Sequence, residues 1–108
     1  MISSPRMTIL TQLVLSELLL DPSNELYGLE IGNAAGLASG TVHPILARLE
    51  AIGWVESRWE EVDPHTASRP ARRYYRLTET GAQDARPALA RALRPNRRAG
   101  TVPARGQA

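Results

Sequence analysis

The apolar positions of this 108-residue chain change period twice, from helical to alternating and back. Ile9, Leu10, Leu13, Val14, Leu18 and Leu19 recur at helical spacing with no Gly or Pro between them, which predicts a first helix over Thr8–Leu20 ended by Asp21-Pro22. Leu15 and Leu20 widen its apolar surface beyond one stripe. Such a helix either buries two sides, one inward and one against a partner, or forms the centre of a monomer's core. A short second helix is predicted over Leu26–Ala35, with Leu26, Leu29, Ile31 and Ala34 turned inward and Gly36 as its stop. A third follows after a few residues: Val42, Ile45, Leu46, Leu49 and Ile52 form its inner stripe, Ser39 stands where a cap is needed, and Gly53 ends it. Pro44 falls near the end of its first turn, where a missing N–H does less damage than farther in.

From Trp54 the pattern shortens. Trp54–Val62 and Arg72–Leu77 have strand character, and Asp63–Pro70 between them is polar and turn-rich, which predicts a β-hairpin. A last helix is expected to start at Thr78, a good N-cap with Glu79 in the first turn, and to reach about Leu93. Ala82, Ala85, Leu89 and Leu93 line one side of it, and Pro87 is expected to kink or split it at a cost of about 3 kcal/mol. Pro95–Ala108 holds Arg, Gly, Pro and Ala without periodicity and reads as a disordered basic tail. Two helices joined by a tight turn, then a hairpin, give a mainly α, α+β fold: a winged helix-turn-helix of three helices and a two-stranded wing over 1–78, a short C-terminal helix over 79–94, and an Arg-rich tail over 95–108.

Composition narrows the choice. At this length one core is expected, and with no Phe and five aromatic residues in all it must be mostly aliphatic. Cysteine is absent, which removes disulfides, thiolate nucleophiles and Cys-based zinc sites and fits a reducing cytoplasm. Neither His43 nor His65 belongs to a metal-spaced set, so no metal or other cofactor is expected. The N-terminal residues lack the pattern of a signal peptide, and no apolar run reaches the ~18 to 20 residues of a membrane span. Net charge is only +2, but residues 1–68 carry three arginines against nine carboxylates and residues 69–108 carry ten against two. A strongly basic second part points to a polyanionic partner.

Four fragments carry a resemblance: Leu26-Tyr27-Gly28-Leu29-Glu30-Ile31; Ser39-Gly40-Thr41-Val42-His43-Pro44-Ile45-Leu46-Ala47-Arg48-Leu49-Glu50; Arg69-Pro70; and Arg72-Arg73-Tyr74-Tyr75-Arg76-Leu77-Thr78. In order and spacing, from about Leu10 to Gly81, the chain resembles the PadR family of transcriptional regulators. The resemblance implies a homodimer on double-stranded operator DNA, with two recognition helices in successive major grooves and the wings on backbone or minor groove. It also implies repression, relieved in some members by a small-molecule inducer bound near the dimer interface. Two positions depart from the family pattern: His43 stands where members carry Tyr, and the last helix is short, Ala-rich and interrupted by Pro87. Leu10 and Leu13 of the first helix, with Leu89 and Leu93 of the last, are the expected dimer contacts.

For DNA, phosphate neutralisation supplies affinity and base edges supply discrimination. The candidates on the third helix are Ser39, Gly40, Thr41, His43, Pro44 and Arg48, at the end that reaches the groove in this motif. Ser39 is either a contact or only a cap, and Gly40 either admits a phosphate to the helix N–H groups or serves the turn. Arg48 either reaches DNA or pairs with Glu50 or Glu56. In the wing, Arg69, Arg72, Arg73 and Arg76 are the candidates; alternation sends Arg72 and Tyr74 to one face and Arg73 and Tyr75 to the other, so one Tyr can be core and its neighbouring Arg a solvated charge. Trp54, after the helix stop, is read as the wing's anchor, and Trp59 lies on the opposite face, with a ligand pocket as their alternative role. No nucleophile motif, phosphate loop or carboxylate pair indicates catalysis. The rival function is a winged-helix protein–protein interaction module, which would present an apolar patch where this chain has arginines.

Overall fold

The computed structural model describes residues 5–93; the basic tail read over 95–108 lies outside them. α1 (Ile9–Leu20) starts where Thr8, in extended conformation, accepts the Thr11 N–H on its hydroxyl at 3.2 Å. It buries Thr11, Val14, Leu15, Leu18 and Leu19 and leaves Ile9, Leu10, Leu13 and Leu20 exposed, so its second apolar side is open rather than central.

Residues Leu26 and Tyr27 form not the first turn of a helix but a short strand, β1 (Leu26–Tyr27). They are extended because they add a third strand to the wing sheet, Leu26 opposite Tyr75 and Tyr27 opposite Tyr74. α2 (Gly28–Ala35) then begins at Gly28, where the Glu30 carboxylate accepts the Tyr27 N–H at 3.1 Å. This later start rotates the helix: Ile31 and Gly32 are inward, whereas Leu29 and Ala34, expected inward, are exposed. Gly36 closes α2 in the left-handed region, φ 75°, as glycine permits.

α3 (Ser39–Ala51) is capped by Ala38, not Ser39, and the cap makes no side-chain hydrogen bond. Backbone suffices here, because the Ala38 carbonyl accepts from Thr41 and Val42 N–H groups at 2.9 and 3.1 Å. Val42, Ile45, Leu46 and Leu49 are buried. Pro44 lies one turn in and the helix runs through it. Having no N–H, Pro44 leaves the Gly40 carbonyl without its helical partner. At the far end Gly53, φ 84°, reverses the chain, and the Trp54 N–H returns to the Leu49 carbonyl at 2.9 Å.

β2 (Val55–Trp59) and β3 (Arg73–Leu77) pair antiparallel with Val55 opposite Leu77 and Trp59 opposite Arg73, giving the sheet order β1-β3-β2. Between them α4 (Pro64–Ala67) is a single turn tied by the Asp63 carboxylate to His65 N–H and the Thr66 hydroxyl. Trp54, Val55, Tyr75 and Leu77 close the core from below, which bears out Trp54 as anchor.

α5 (Glu79–Leu93) is capped by Thr78, whose hydroxyl accepts from Gly81 N–H at 2.9 Å and donates to the Gly53 carbonyl at 2.7 Å. The helix is not split by Pro87, which sits on an exposed face while Ala85 and Ala88 pack inward. Among the described residues no helix is long and apolar enough to cross a membrane.

Candidate nucleic-acid interface

The periodicity that buries Val42, Ile45, Leu46 and Leu49 turns Ser39, Gly40, His43, Pro44, Ala47 and Arg48 to solvent, with Thr41 half-buried. Ser39, Gly40, Thr41, His43 and Pro44 are therefore together in the first turns, whereas Arg48 is in the last turn, beside Thr8 and Thr11. Nothing lies within 4 Å of where a Gly40 side chain would start, so packing places no demand for glycine there. With the N–H groups of the first turn, this end of α3 presents bare backbone at the positive pole of the helix. The Ser39 hydroxyl, released from capping, makes no hydrogen bond among the described residues. His43 rests on Gly28 at the start of α2.

The wing arginines are arranged differently. Arg69 grips Glu60 through both terminal nitrogens, at 2.7 and 3.1 Å. Glu60 also accepts the Arg72 N–H at 3.2 Å, and these contacts, the Arg69 bond foremost, hold its carboxyl at about 2 against burial, which pulls the other way. Arg76 reaches Glu56 at 2.8 Å across the ladder, where Glu56 and Arg76 are register partners. Arg73 donates to the Ser57 hydroxyl at 3.0 Å and lies 3.7 Å from Glu50. Arg58, not among the expected residues, holds Glu25 by two 2.7 Å bonds, and that pairing lowers the Glu25 pKa. Among the described residues Arg72 alone of the four candidates has no carboxylate partner; its guanidinium lies 4.2 Å over the Tyr27 ring, which meets Tyr74 edge-on at 5.8 Å.

The pairing also separates the wing residues in space. Arg73 is on the face that carries Tyr75 and Leu77, Arg72 and Arg76 are on the other, and Arg69 is at the tip. Arg48 pairs with neither Glu50 nor Glu56, since Ser57 and Arg73 occupy the first and Arg76 the second. Glu25 and Glu60 have no signal in the sequence, and Glu50 and Glu56, weighed there as partners of Arg48, lie against Arg73 and Arg76 instead. For Glu56 a signal existed, an opposite charge across the hairpin, but using it requires the register.

On the far side of the molecule α5 packs along α1 and leaves a groove of about 430 Å³ lined by Ser16, Leu19, Leu20, Arg86, Leu89, Ala90 and Leu93. Leu20 and Leu93 are 79% and 67% exposed, with Leu10 and Leu13 above them on α1. Leu89 is partly buried against the core.

The model of the transcriptional regulator PadR-like family matches residues 18–86, more than half of the chain. The chain matches none of the curated proteins. Among solved structures it resembles AbfR in its disulfide form and reduced AbfR bound to DNA, each at 30% identity and TM-score 0.62, over 81% of this chain and 57% of that one. A MarR family regulator from Neisseria meningitidis aligns at 26% identity and TM-score 0.59, over 80% of this chain and 55% of that one. The chain thus spans less than two thirds of the length of these relatives.

Proposed function

Because the chain belongs to the PadR-like family of transcriptional regulators, we propose that it binds double-stranded DNA as a homodimer and represses transcription, in the cytoplasm and without catalysing a reaction. The observation that carries this reading is the bare, exposed start of α3, where Gly40 has open space around it and Ser39, His43 and Pro44 are exposed beside it. Ser39, Thr41 and His43 are the base-edge and phosphate partners, and Pro44 fills the groove wall beside them. Gly40 admits a phosphate to the first-turn N–H groups. Arg48 and Arg72, which have no carboxylate partner among the described residues, supply cationic charge directly. Arg69 and Arg76 contact phosphate only by exchanging a carboxylate for it. A solved structure of similar fold, reduced AbfR, is bound to DNA, which supports DNA as the partner.

The second copy covers the α1–α5 groove, with Leu10, Leu13, Leu89 and Leu93 at the contact and Leu20 added by its exposure. Exposed leucines gathered on two adjacent helices favour such a contact. Half-site centres would then lie about 34 to 36 Å apart, or a multiple of that. A small-molecule inducer remains part of the proposal through the family alone.

The test is fluorescence anisotropy with the promoter duplex upstream of the protein's own coding sequence and a shuffled duplex of equal length, from low to moderate salt. Promoter binding tighter than shuffled, with log affinity falling linearly in log salt, supports the reading. No binding to either at low salt overturns it in favour of a protein-interaction module.

A further inference from the structure

Three side chains from three elements meet at the junction of the wing and α3. Glu50, in the last turn of α3, accepts the Ser57 hydroxyl hydrogen from β2 at 2.6 Å. The same Ser57 oxygen accepts from the Nε of Arg73 on β3 at 3.0 Å, and an Arg73 terminal nitrogen closes the triangle 3.7 Å from the Glu50 carboxylate. The Arg73 guanidinium is also held over the Trp59 ring, 5.2 Å from its centre. From these contacts we infer that Arg73 is a positioning residue: with Glu50 and Ser57 it fixes the wing relative to the recognition helix, and it does not act as a phosphate contact. This role rests on the DNA-binding reading above.

The contacts argue against the simpler role. The Nε–H of Arg73 is spent on Ser57, one terminal nitrogen faces Glu50, and one face is covered by Trp59, so the group is engaged on three sides by its own chain. Backbone ties the wing to the helices at its root, through the Trp54-to-Leu49 bond, and at β1, through the pairing of Leu26 and Tyr27 with β3. The side-chain hydrogen bond and ion pair from α3 to the sheet come through Glu50. A wing that must meet DNA in register with a helix N-terminus needs its angle set, because misplacement of a contact by about 1 Å already forfeits much of its value.

Electrostatics and positioning predict opposite signs for one substitution. Glu50 is an anion beside a polyanion site, so if charge alone mattered, Glu50→Ala would tighten DNA binding. If Glu50 holds the wing, Glu50→Ala weakens promoter binding about fivefold or more, within the range of coupling in such networks, while binding to shuffled DNA holds or tightens. Ser57→Ala, which keeps the charges, does the same to promoter binding alone. Arg73→Lys keeps the cation but lacks the forked donors, and so fails to restore promoter preference. Arg73→Ala leaves the slope of log affinity against log salt unchanged, whereas loss of a phosphate contact changes it by about 0.9. Thermal melts of each variant identify any that fail to fold, and Ser57→Ala carries the test if Glu50→Ala does. Tighter promoter binding by Glu50→Ala, wild-type behaviour of Arg73→Lys, or a slope change with Arg73→Ala overturns the inference while the wild type still binds. Failure of the wild type to bind any duplex removes the DNA-binding reading itself, and this role with it.

Discussion

The His43 imidazole lies on Gly28 so closely that a β-carbon at residue 28 would stand 2.6 Å from the ring's Cε1. The glycine that opens α2 therefore makes room for a side chain of α3, and the turn between the two helices is locked by a contact across it. The obstructed atom is the end of a rotatable ring, so Gly28→Ala should displace His43 rather than unfold the protein. We expect Gly28→Ala and His43→Ala to change promoter affinity non-additively, the double variant being no worse than the poorer single one. A double-mutant cycle by anisotropy checks this.

Gly40 gives the opposite expectation. Open space surrounds it, and a helix gains about 0.5–1 kcal/mol when such a glycine becomes alanine. Gly40→Ala should raise the melting temperature and weaken DNA binding, because the added methyl stands between phosphate and helix. Calorimetry and anisotropy on one variant read both signs.

At Gly81 no room exists: a β-carbon there would overlap the carbonyl of Trp54, which is backbone and cannot step aside. Gly81→Ala should destabilise the fold by about 1–3 kcal/mol through forced separation of α5 from the start of the wing. Chemical denaturation measures it.

The Glu60 carboxyl is held at about 2 against an ordinary 4.5, chiefly by Arg69. A depressed carboxyl stabilises the folded wing above the unfolded value and loses that contribution as pH falls through its folded one. The tip should therefore loosen between about pH 4.5 and 2, visible as faster amide exchange at Arg72, and Glu60→Gln should show the loosened rate already at neutral pH.

Exposed leucines on α1 and α5 should hold the dimer together. Leu20→Glu, which alters no buried contact of the monomer, is expected to yield monomers in sedimentation equilibrium and to weaken promoter binding.

Much of this architecture was legible in the residues. Periodicity found α1, α3 and α5, and the Gly53-Trp54 pair marked the point where helix gives way to wing. Leu26-Tyr27 was misread because two residues are too few to display alternation, and an apolar-aromatic pair suits a helix start as well as an edge strand. Ser39 was misread as a cap because a hydroxyl in the right place is a strong local signal, yet the chain enters α3 one residue earlier at Ala38. The basic wing was visible as a count of arginines. Their carboxylate partners lie 9 to 33 positions away in sequence, and only register and packing bring them together.

Pro44 also shapes the entry of α3: with no N–H to offer, it leaves the residue-40 carbonyl facing its own ring, along the helix axis, so the first turn offers donors alone to whatever approaches it. Pro44→Ala returns that carbonyl to the helical ladder and should raise the melting temperature while leaving the first-turn donors in place.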